Sequence, residues 1–123
     1  MSDLLLVDAS AYARGGAAGT GTHGELCLCA VTRMELLYSA RSATDYVDLE
    51  ADLARFRDLP MDAETFATAA TAHRELGQAG RHRVPIPDLL IAACAQQRGA
   101  DVLHVDRHFD TLSSVLNFRA VRL

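Results

Sequence analysis

Lysine is absent from this sequence, so all twelve of its basic side chains are arginine. Signalling domains and phosphatases that work through a phosphorylated aspartate usually place a lysine beside the phosphate, and its absence argues against both classes. Tryptophan is also absent, and aromatic residues make up only 6% of the chain. Because half of the residues are apolar, we expect a core built mainly from alanine, leucine and valine.

Cysteine is scarce, with Cys27, Cys29 and Cys94 as its three occurrences. An odd number with a single Cys-x-Cys pair does not make a disulfide framework, and the second pair that a zinc site would need is missing. All three cysteines lie in apolar runs. We therefore expect buried free thiols and a reducing, cytoplasmic location.

Long apolar runs are missing as well, since none approaches the roughly 18 residues that a membrane span needs. The first ten residues combine an acid, Asp3, with a short apolar run, which is unlike a secretory signal. We expect no membrane association and a single domain over residues 1–123. The formal net charge of −4 weighs against a nucleic-acid partner, unless the acids gather around bound cations.

Strand-like and helix-like patterns alternate along the chain. Short apolar runs predict strands at 4–7, 26–31 and 102–105, with weaker candidates at 59–61 and near 119–122. Caps and helical spacing predict helices after Asp8, at 32–40, from about 44, at 62–76, from about 86 to Gly99, and at 107–115. This alternation predicts an α/β fold, specifically a three-layer α/β/α sandwich with a mostly parallel central sheet of four to five strands.

Two further features concern single segments. Helical spacing predicts that Tyr46 and Val47 face the core in one helix, and that Phe66 and His73 do so in the next. Residues 15–24 contain five glycines and no phosphate-binding glycine motif, so they are expected to form a flexible loop with a solvated His23.

Four acids stand where strands end or helices begin. Asp8 and Asp106 each follow a strand, Asp88 lies in the first turn of a helix, and Glu35 follows the second strand. Sites in open parallel sheets form beyond the carboxyl ends of the strands, so these carboxylates are expected to meet. Local structural roles remain open for two of them, because Asp8 is a good helix cap and Glu35 fits a capping box that starts at Thr32.

Clustered carboxylates are the ligands that Mg²⁺ and Mn²⁺ prefer, and such ions activate water and neutralise a scissile phosphate. The residues therefore favour a metal-dependent nuclease. Arg81 and Arg83, just ahead of Asp88, either contact the phosphate backbone of RNA or belong to an ordinary polar turn. Ser10 is a cap or a hydrogen-bond donor to the site.

The chain resembles the PIN-domain ribonucleases, especially the VapC-type toxins of bacterial toxin–antitoxin pairs. The resemblance rests on LLVDASA with Asp8 and Ser10, VTRMELLYSAR with Glu35, VPIPDLLIAA with Asp88, and LHVDRHFD with Asp106. It implies an Mg²⁺- or Mn²⁺-dependent endoribonuclease that cleaves tRNA or another structured RNA. It also implies that these four acids bind metal.

The resemblance further implies a homodimer and a VapB-like antitoxin whose tail obstructs the site. The sequence departs from the family at two places: the stretch between Asp8 and Glu35 is short and glycine-rich, and His108 stands where another aspartate is common. Asp110 is then a candidate secondary acid. The alternative reading is a non-catalytic PIN-like module for protein binding or dimerisation.

Overall fold

The computed structural model describes residues 2–15 and 24–123 and contains a five-stranded parallel sheet. The elements in chain order are β1 (Leu4–Val7), α1 (Ala9–Ala13), β2 (Glu25–Leu28), α2 (Ala30–Tyr38), α3 (Ala43–Leu53), β3 (Arg57–Asp58), α4 (Ala63–Gln78), α5 (Ile86–Arg98), β4 (Asp101–His104), α6 (His108–Leu112) and β5 (Ala120–Arg122). The strand order is β3-β2-β1-β4-β5, and all four pairings are parallel. The predicted alternation of strands and helices is confirmed.

One strand lies outside its predicted range. The third strand was expected over 59–61, but β3 consists of Arg57 and Asp58, which pair with Cys27 and Leu28 of β2. Both residues of β3 are exposed. A two-residue polar strand at the edge of a sheet buries no side chain, so it leaves no apolar pattern in the sequence.

Two apolar clusters cover the two faces of the sheet, because successive side chains of a strand point to opposite sides. Leu6 of β1 belongs to the cluster that packs against α4, α5 and α6. Its neighbours Leu5 and Val7 belong to the cluster formed with α1, α2 and α3. Helices therefore lie on both faces, which confirms the three-layer α/β/α sandwich.

Helix α5 is the central element of the first cluster, with seven buried residues between Asp88 and Ala95. It packs closely along α4, whose inner face consists of Thr65, Ala69, Ala72 and Leu76. The helix ends at Gly99, which adopts the left-handed conformation with φ = 67°. As expected, Cys27, Cys29 and Cys94 are buried and free.

The predicted inward orientation of several large side chains is wrong. Phe66 and Val47 are 53% and 61% exposed, and Tyr46 is also exposed. In α4, the cap formed by Asp62 and Thr65 sets the rotation of the helix: Thr65 is fully buried and its hydroxyl contacts Gln97 of α5. Small residues then face α5 and permit close packing, which leaves Phe66 on the outside.

Gly24, at the start of β2, lies against the neighbouring strand in a conformation that favours glycine. Its φ is +74°, and a Cβ there would lie 2.6 Å from the carbonyl oxygen of Asp3. The same Asp3 carbonyl accepts a hydrogen bond of 2.7 Å from the Glu25 N–H. Gly80 has a similar φ of +71° but has open space around it.

This pair of glycines gives a prediction with a built-in control. Gly80→Ala is expected to lower the free energy of unfolding by about 1 kcal/mol through backbone strain alone. Gly24→Ala is expected to cost about 2 kcal/mol more, because the added methyl group also displaces β1 from β2. Urea denaturation of both variants tests this, and equal losses would contradict the packing at Gly24.

None of the helices within residues 2–15 and 24–123 is long and apolar enough to cross a membrane.

Candidate metal centre

The site lies at the carboxyl edge of the sheet, where β1 and β4 are neighbours although they are far apart in the sequence. The order of the strands reverses between these two, and ligand sites of open α/β sheets form at such a position. The Asp8 N–H donates a hydrogen bond of 2.9 Å to the Leu103 carbonyl, which continues the β1–β4 pairing by one residue. Asp8 is thereby held at the edge from which Asp106 also emerges.

Asp8 is a helix cap and a buried site residue at the same time. Its side chain accepts a hydrogen bond of 3.2 Å from the Ser10 N–H and a second, short one from the Ser10 hydroxyl. Both bonds reach Oδ2, and Asp8 is only 4% exposed. Ser10 therefore orients this carboxylate.

Glu35 does not take part in a capping box, so that interpretation of Thr32 and Glu35 is wrong. Helix α2 begins at Ala30 with Cys29 as its cap, which places Thr32 inside the helix, buried and 3.4 Å from the Cys29 Sγ. Glu35 Oε1 is buried and has no hydrogen-bond partner. Burial, followed by the negative charge of Asp8, raises the pKa of the Glu35 carboxyl group.

Asp88 is the most perturbed acid of the site. It lies in the first turn of α5, as predicted, and is 9% exposed. Burial raises the pKa of its carboxyl group to about 7, and the negative charges of Asp8, Asp106 and Glu35 add to this, while His108 opposes it. Asp88 thus lies within electrostatic range of the other three predicted carboxylates.

Asp106 lies beside His108, which the sequence interpretation did not assign to the site. The Nδ1 atom of His108 is 2.9 Å from Asp106 Oδ1 and 3.3 Å from Asp88 Oδ2. One donor atom from each of these three residues lies within 4.8 Å of the other two. The trace of this contact in the sequence is the spacing Asp-x-His, which places the imidazole at the start of α6. The His108 backbone N–H also donates a hydrogen bond of 3.0 Å to Asp106 Oδ1.

Behind Asp106 lies His104, which is fully buried. Its Nδ1 accepts a hydrogen bond of 3.2 Å from the Asp106 N–H, which fixes the backbone of that residue. Burial lowers the pKa of the His104 imidazole. Asp110 lies 3.8 Å from His104 Nε2 and 3.4 Å from Arg122, and its role as a secondary acid stays a prediction.

The basic residues predicted to contact RNA lie in the segment between α4 and α5. Arg81 and Arg83 are both exposed and precede Asp88 by a few residues. The Arg81 backbone N–H donates a hydrogen bond of 2.7 Å to the Leu76 carbonyl, which anchors this segment to the end of α4. Most of the predicted glycine-rich loop, residues 16–23 including His23, lies outside the described residues.

The residues present suit a divalent cation. The Oε1 atom of Glu35 is a buried oxygen without a partner, and such an atom is costly unless something binds it. Neighbouring carboxylates repel one another, and His108 offsets only part of the effect of this repulsion on the pKa of Asp88. A donor set of carboxylate oxygens is the kind that hard cations prefer.

The protein is therefore a parallel α/β sandwich with acidic side chains at the carboxyl edge of its central strands. A model of the PIN domain family matches residues 7–114, which is most of the chain. The chain therefore belongs to the PIN-domain family, and the family resemblance noted in the sequence is confirmed.

Individual proteins agree with this assignment. Ribonuclease VapC18 of Mycobacterium tuberculosis is 42% identical over 94 residues, covering 74% of this chain and 69% of that protein. Ribonuclease VapC17 of the same species is 35% identical over 116 residues, covering 89% and 87%. The crystal structure of M. tuberculosis VapBC-5, a member of the VapBC family of toxin–antitoxin systems, shares the fold with a TM-score of 0.76 and 23% identity over 98% of this chain and 99% of that one.

Proposed function

We propose that this protein is a metal-dependent endoribonuclease and the toxin component of a toxin–antitoxin pair, with residues 1–123 as one PIN-like domain. The observation that carries the proposal is that Asp8 and Asp106 follow adjacent strands at one edge of the sheet and that His108 lies between Asp106 and Asp88. Glu35 is close enough to Asp8 and Asp88 to affect their charges or be affected by them. Two relatives that share much of its length are named ribonucleases. Four acids held together in this way are suited to phosphodiester hydrolysis.

In this proposal the four carboxylates hold Mg²⁺ or Mn²⁺. When bound, such an ion supplies a polarised, more acidic water and offsets negative charge on the scissile phosphate. Asp8 keeps a fixed orientation through its two hydrogen bonds from Ser10. Burial and the neighbouring acids raise the pKa of the Asp88 carboxyl group to about 7, so a bound cation would compete with a proton for this carboxylate.

We propose that exposed basic residues contact the substrate outside the metal centre. Arg81 and Arg83 are exposed at the amino-terminal side of α5, close along the chain to Asp88. A guanidinium group offers two donors to one phosphate, so this segment is suited to an RNA backbone rather than to base recognition. We infer a structured RNA, such as tRNA, as the substrate.

A protein partner is supported by an apolar groove beside the site. Val31, Met34, Glu35 and Tyr38 of α2 line it, with Met34 and Tyr38 exposed to 62% and 92%. Exposed apolar groups of this kind next to a catalytic centre suit a peptide that covers both. We propose that the tail of a VapB-like antitoxin binds there and blocks access to Glu35.

We also propose that the protein is a homodimer. Light scattering of the purified chain, coupled to size exclusion, is expected to give twice the monomer mass of 13.3 kDa. A mass of one chain at micromolar concentration would remove the homodimer from the proposal without touching the active site.

The activity is tested by cleavage of total RNA with the antitoxin-free protein, with and without Mg²⁺ or Mn²⁺. Cleavage is expected only with the cation, and Asp8→Asn is expected to reduce it at least about a hundredfold, because a charged ligand worth several kcal/mol is lost. Asp48→Asn, an equivalent change on the exposed face of α3, is the matched control and should retain full activity.

Equal activity of the Asp8→Asn and wild-type proteins would contradict the assignment of the site. Absence of cleavage in the wild type, with every RNA class and both cations, would favour the non-catalytic PIN-like binding module instead.

A further inference from the structure

We propose that His108 supplies a nitrogen ligand to the metal centre and so biases it toward Mn²⁺ over Mg²⁺. The inference rests on the proposed function, since it concerns the same cation. It adds a residue to the four carboxylates and assigns it the role of determining metal specificity.

The position of the imidazole is the first support. Nδ1 of His108 lies 2.9 Å from Asp106 Oδ1 and 3.3 Å from Asp88 Oδ2, so it faces the space between two proposed ligands. One donor atom of each residue lies within 4.8 Å of the other two, close enough for one ion to touch all three. The ring lies on α6, Asp88 lies on α5, and Asp106 lies between β4 and α6, so three segments would present donors to the ion.

The second support is that the Nδ1 atom of His108 is buried without a hydrogen-bond partner. Nδ1 is shielded from solvent, yet it makes no hydrogen bond of acceptable geometry with either carboxylate. Buried polar atoms in proteins are normally paired, so an unpaired one requires an explanation such as a bound ion. A nitrogen placed near two carboxylate oxygens without a hydrogen bond to either is what a shared cation would explain.

Ligand chemistry gives the direction of the effect. Mg²⁺ strongly prefers oxygen donors and binds imidazole poorly, whereas affinity for nitrogen-containing sites rises along the first transition series from Mn²⁺ onward. A site with only carboxylates would discriminate little between the two ions. A site that includes His108 Nδ1 favours Mn²⁺.

The direct test is electron spin-echo envelope modulation of Mn²⁺ added to the purified protein. Modulation from a directly bound ¹⁴N nucleus is expected for wild type. It is also expected for the control variant His73→Gln, because His73 lies on α4. It is expected to be absent in His108→Asp and His108→Asn, both of which offer oxygen in place of nitrogen. Calorimetric titration of the same samples should show the ratio of Mn²⁺ to Mg²⁺ affinity falling about tenfold in His108→Asp.

The outcomes separate this inference from the proposed function. Mn²⁺ that binds to wild type without ¹⁴N modulation overturns the role of His108 and leaves the carboxylate site intact. Mn²⁺ that fails to bind overturns both. Nitrogen modulation that persists in both His108 variants assigns the ligand to another residue and contradicts the proposal. A variant that folds poorly does not weaken the test, because absence of modulation in the wild-type spectrum is enough to overturn the proposal.

Discussion

Asp88→Asn is expected to abolish RNA cleavage and, without divalent cations, to make the protein more stable at pH 8. The gain in the free energy of unfolding is expected to be about 4 kcal/mol. It follows from the pKa of about 7 that burial and three neighbouring acids impose on the Asp88 carboxyl group, against an ordinary value of 3.8.

The sign follows from where the protons are bound. Between about pH 4 and pH 7, Asp88 keeps its proton in the folded protein but loses it in the unfolded chain, so stability falls as the pH rises through this range. Asparagine carries no charge and avoids this loss. The difference between variant and wild type should therefore be largest at pH 8 and close to zero near pH 4.

Urea denaturation at pH 4, 6 and 8 in the presence of a chelator measures this difference. Asp48→Asn, on the exposed surface of α3, should leave both stability and cleavage within experimental error of wild type at each pH. An Asp88→Asn protein that is less stable than wild type at pH 8 would contradict the repulsive carboxylate cluster. A stable but fully active one would remove Asp88 from the catalytic site.

The second large effect is stabilisation by the cation itself, which should depend strongly on pH. At a concentration a hundred times its dissociation constant at pH 8, Mg²⁺ or Mn²⁺ is expected to add about 2.7 kcal/mol, or roughly 10 °C in Tm. At pH 5.5 a proton competes for Asp88, because the pKa of its carboxyl group is about 7. Apparent affinity then falls roughly thirtyfold, and the same concentration adds only about 1 kcal/mol.

Thermal melts at both pH values, with and without cation, check this prediction. Asp8→Asn should lose most of the stabilisation, and equimolar Na₂SO₄ controls for ionic strength. Equal shifts at pH 5.5 and pH 8, or an undiminished shift in Asp8→Asn, would mean that the cation binds somewhere other than at these carboxylates.

The order of the elements was predictable because the strands next to the centre are apolar runs that stop at an acid. Asp8 directly follows the apolar run Leu4–Val7, and Asp106 follows a similar run. Each of these patterns indicates both a buried strand and the position of its carboxyl end. The capped helix from Asp62 was equally clear, since Asp62 and Thr65 form the capping box in the structure. These features are local, so the sequence contains them in full.

The errors arose where packing overrides local pattern. Glu35 matched a capping box with Thr32, but α2 starts two residues earlier, and Thr32 is buried beside Cys29. Phe66 was assigned to the core by helical spacing, but the tight packing of alanines between α4 and α5 leaves it outside. Neither result follows from helical periodicity, because both depend on which neighbour the helix meets.

The sequence allowed Asp8 and Asp106 to be placed at one edge of the sheet, whereas the electrostatics of the acids there could not be predicted. Asp8 and Asp106 mark the ends of strands that prove adjacent. That Asp88 is the most perturbed acid, and that His108 lies against two of them, depends on side-chain burial and on the short turn into α6. A histidine two residues after an acid is too common a pattern to identify a site from the sequence.

The most direct test of a carboxylate-metal ribonuclease is a parallel titration of the antitoxin-free protein with Mn²⁺, following thermal stability and cleavage of total tRNA in the same buffer. Because stabilisation by a bound ion follows RT ln(1 + [Mn²⁺]/Kd), the melting temperatures give a dissociation constant. One site that both binds the ion and cuts RNA requires cleavage to be half-maximal near that concentration, and both effects to be lost in Asp8→Asn. A clear difference between the two concentrations, or cleavage that survives in Asp8→Asn, would show that the four acids are not the catalytic centre.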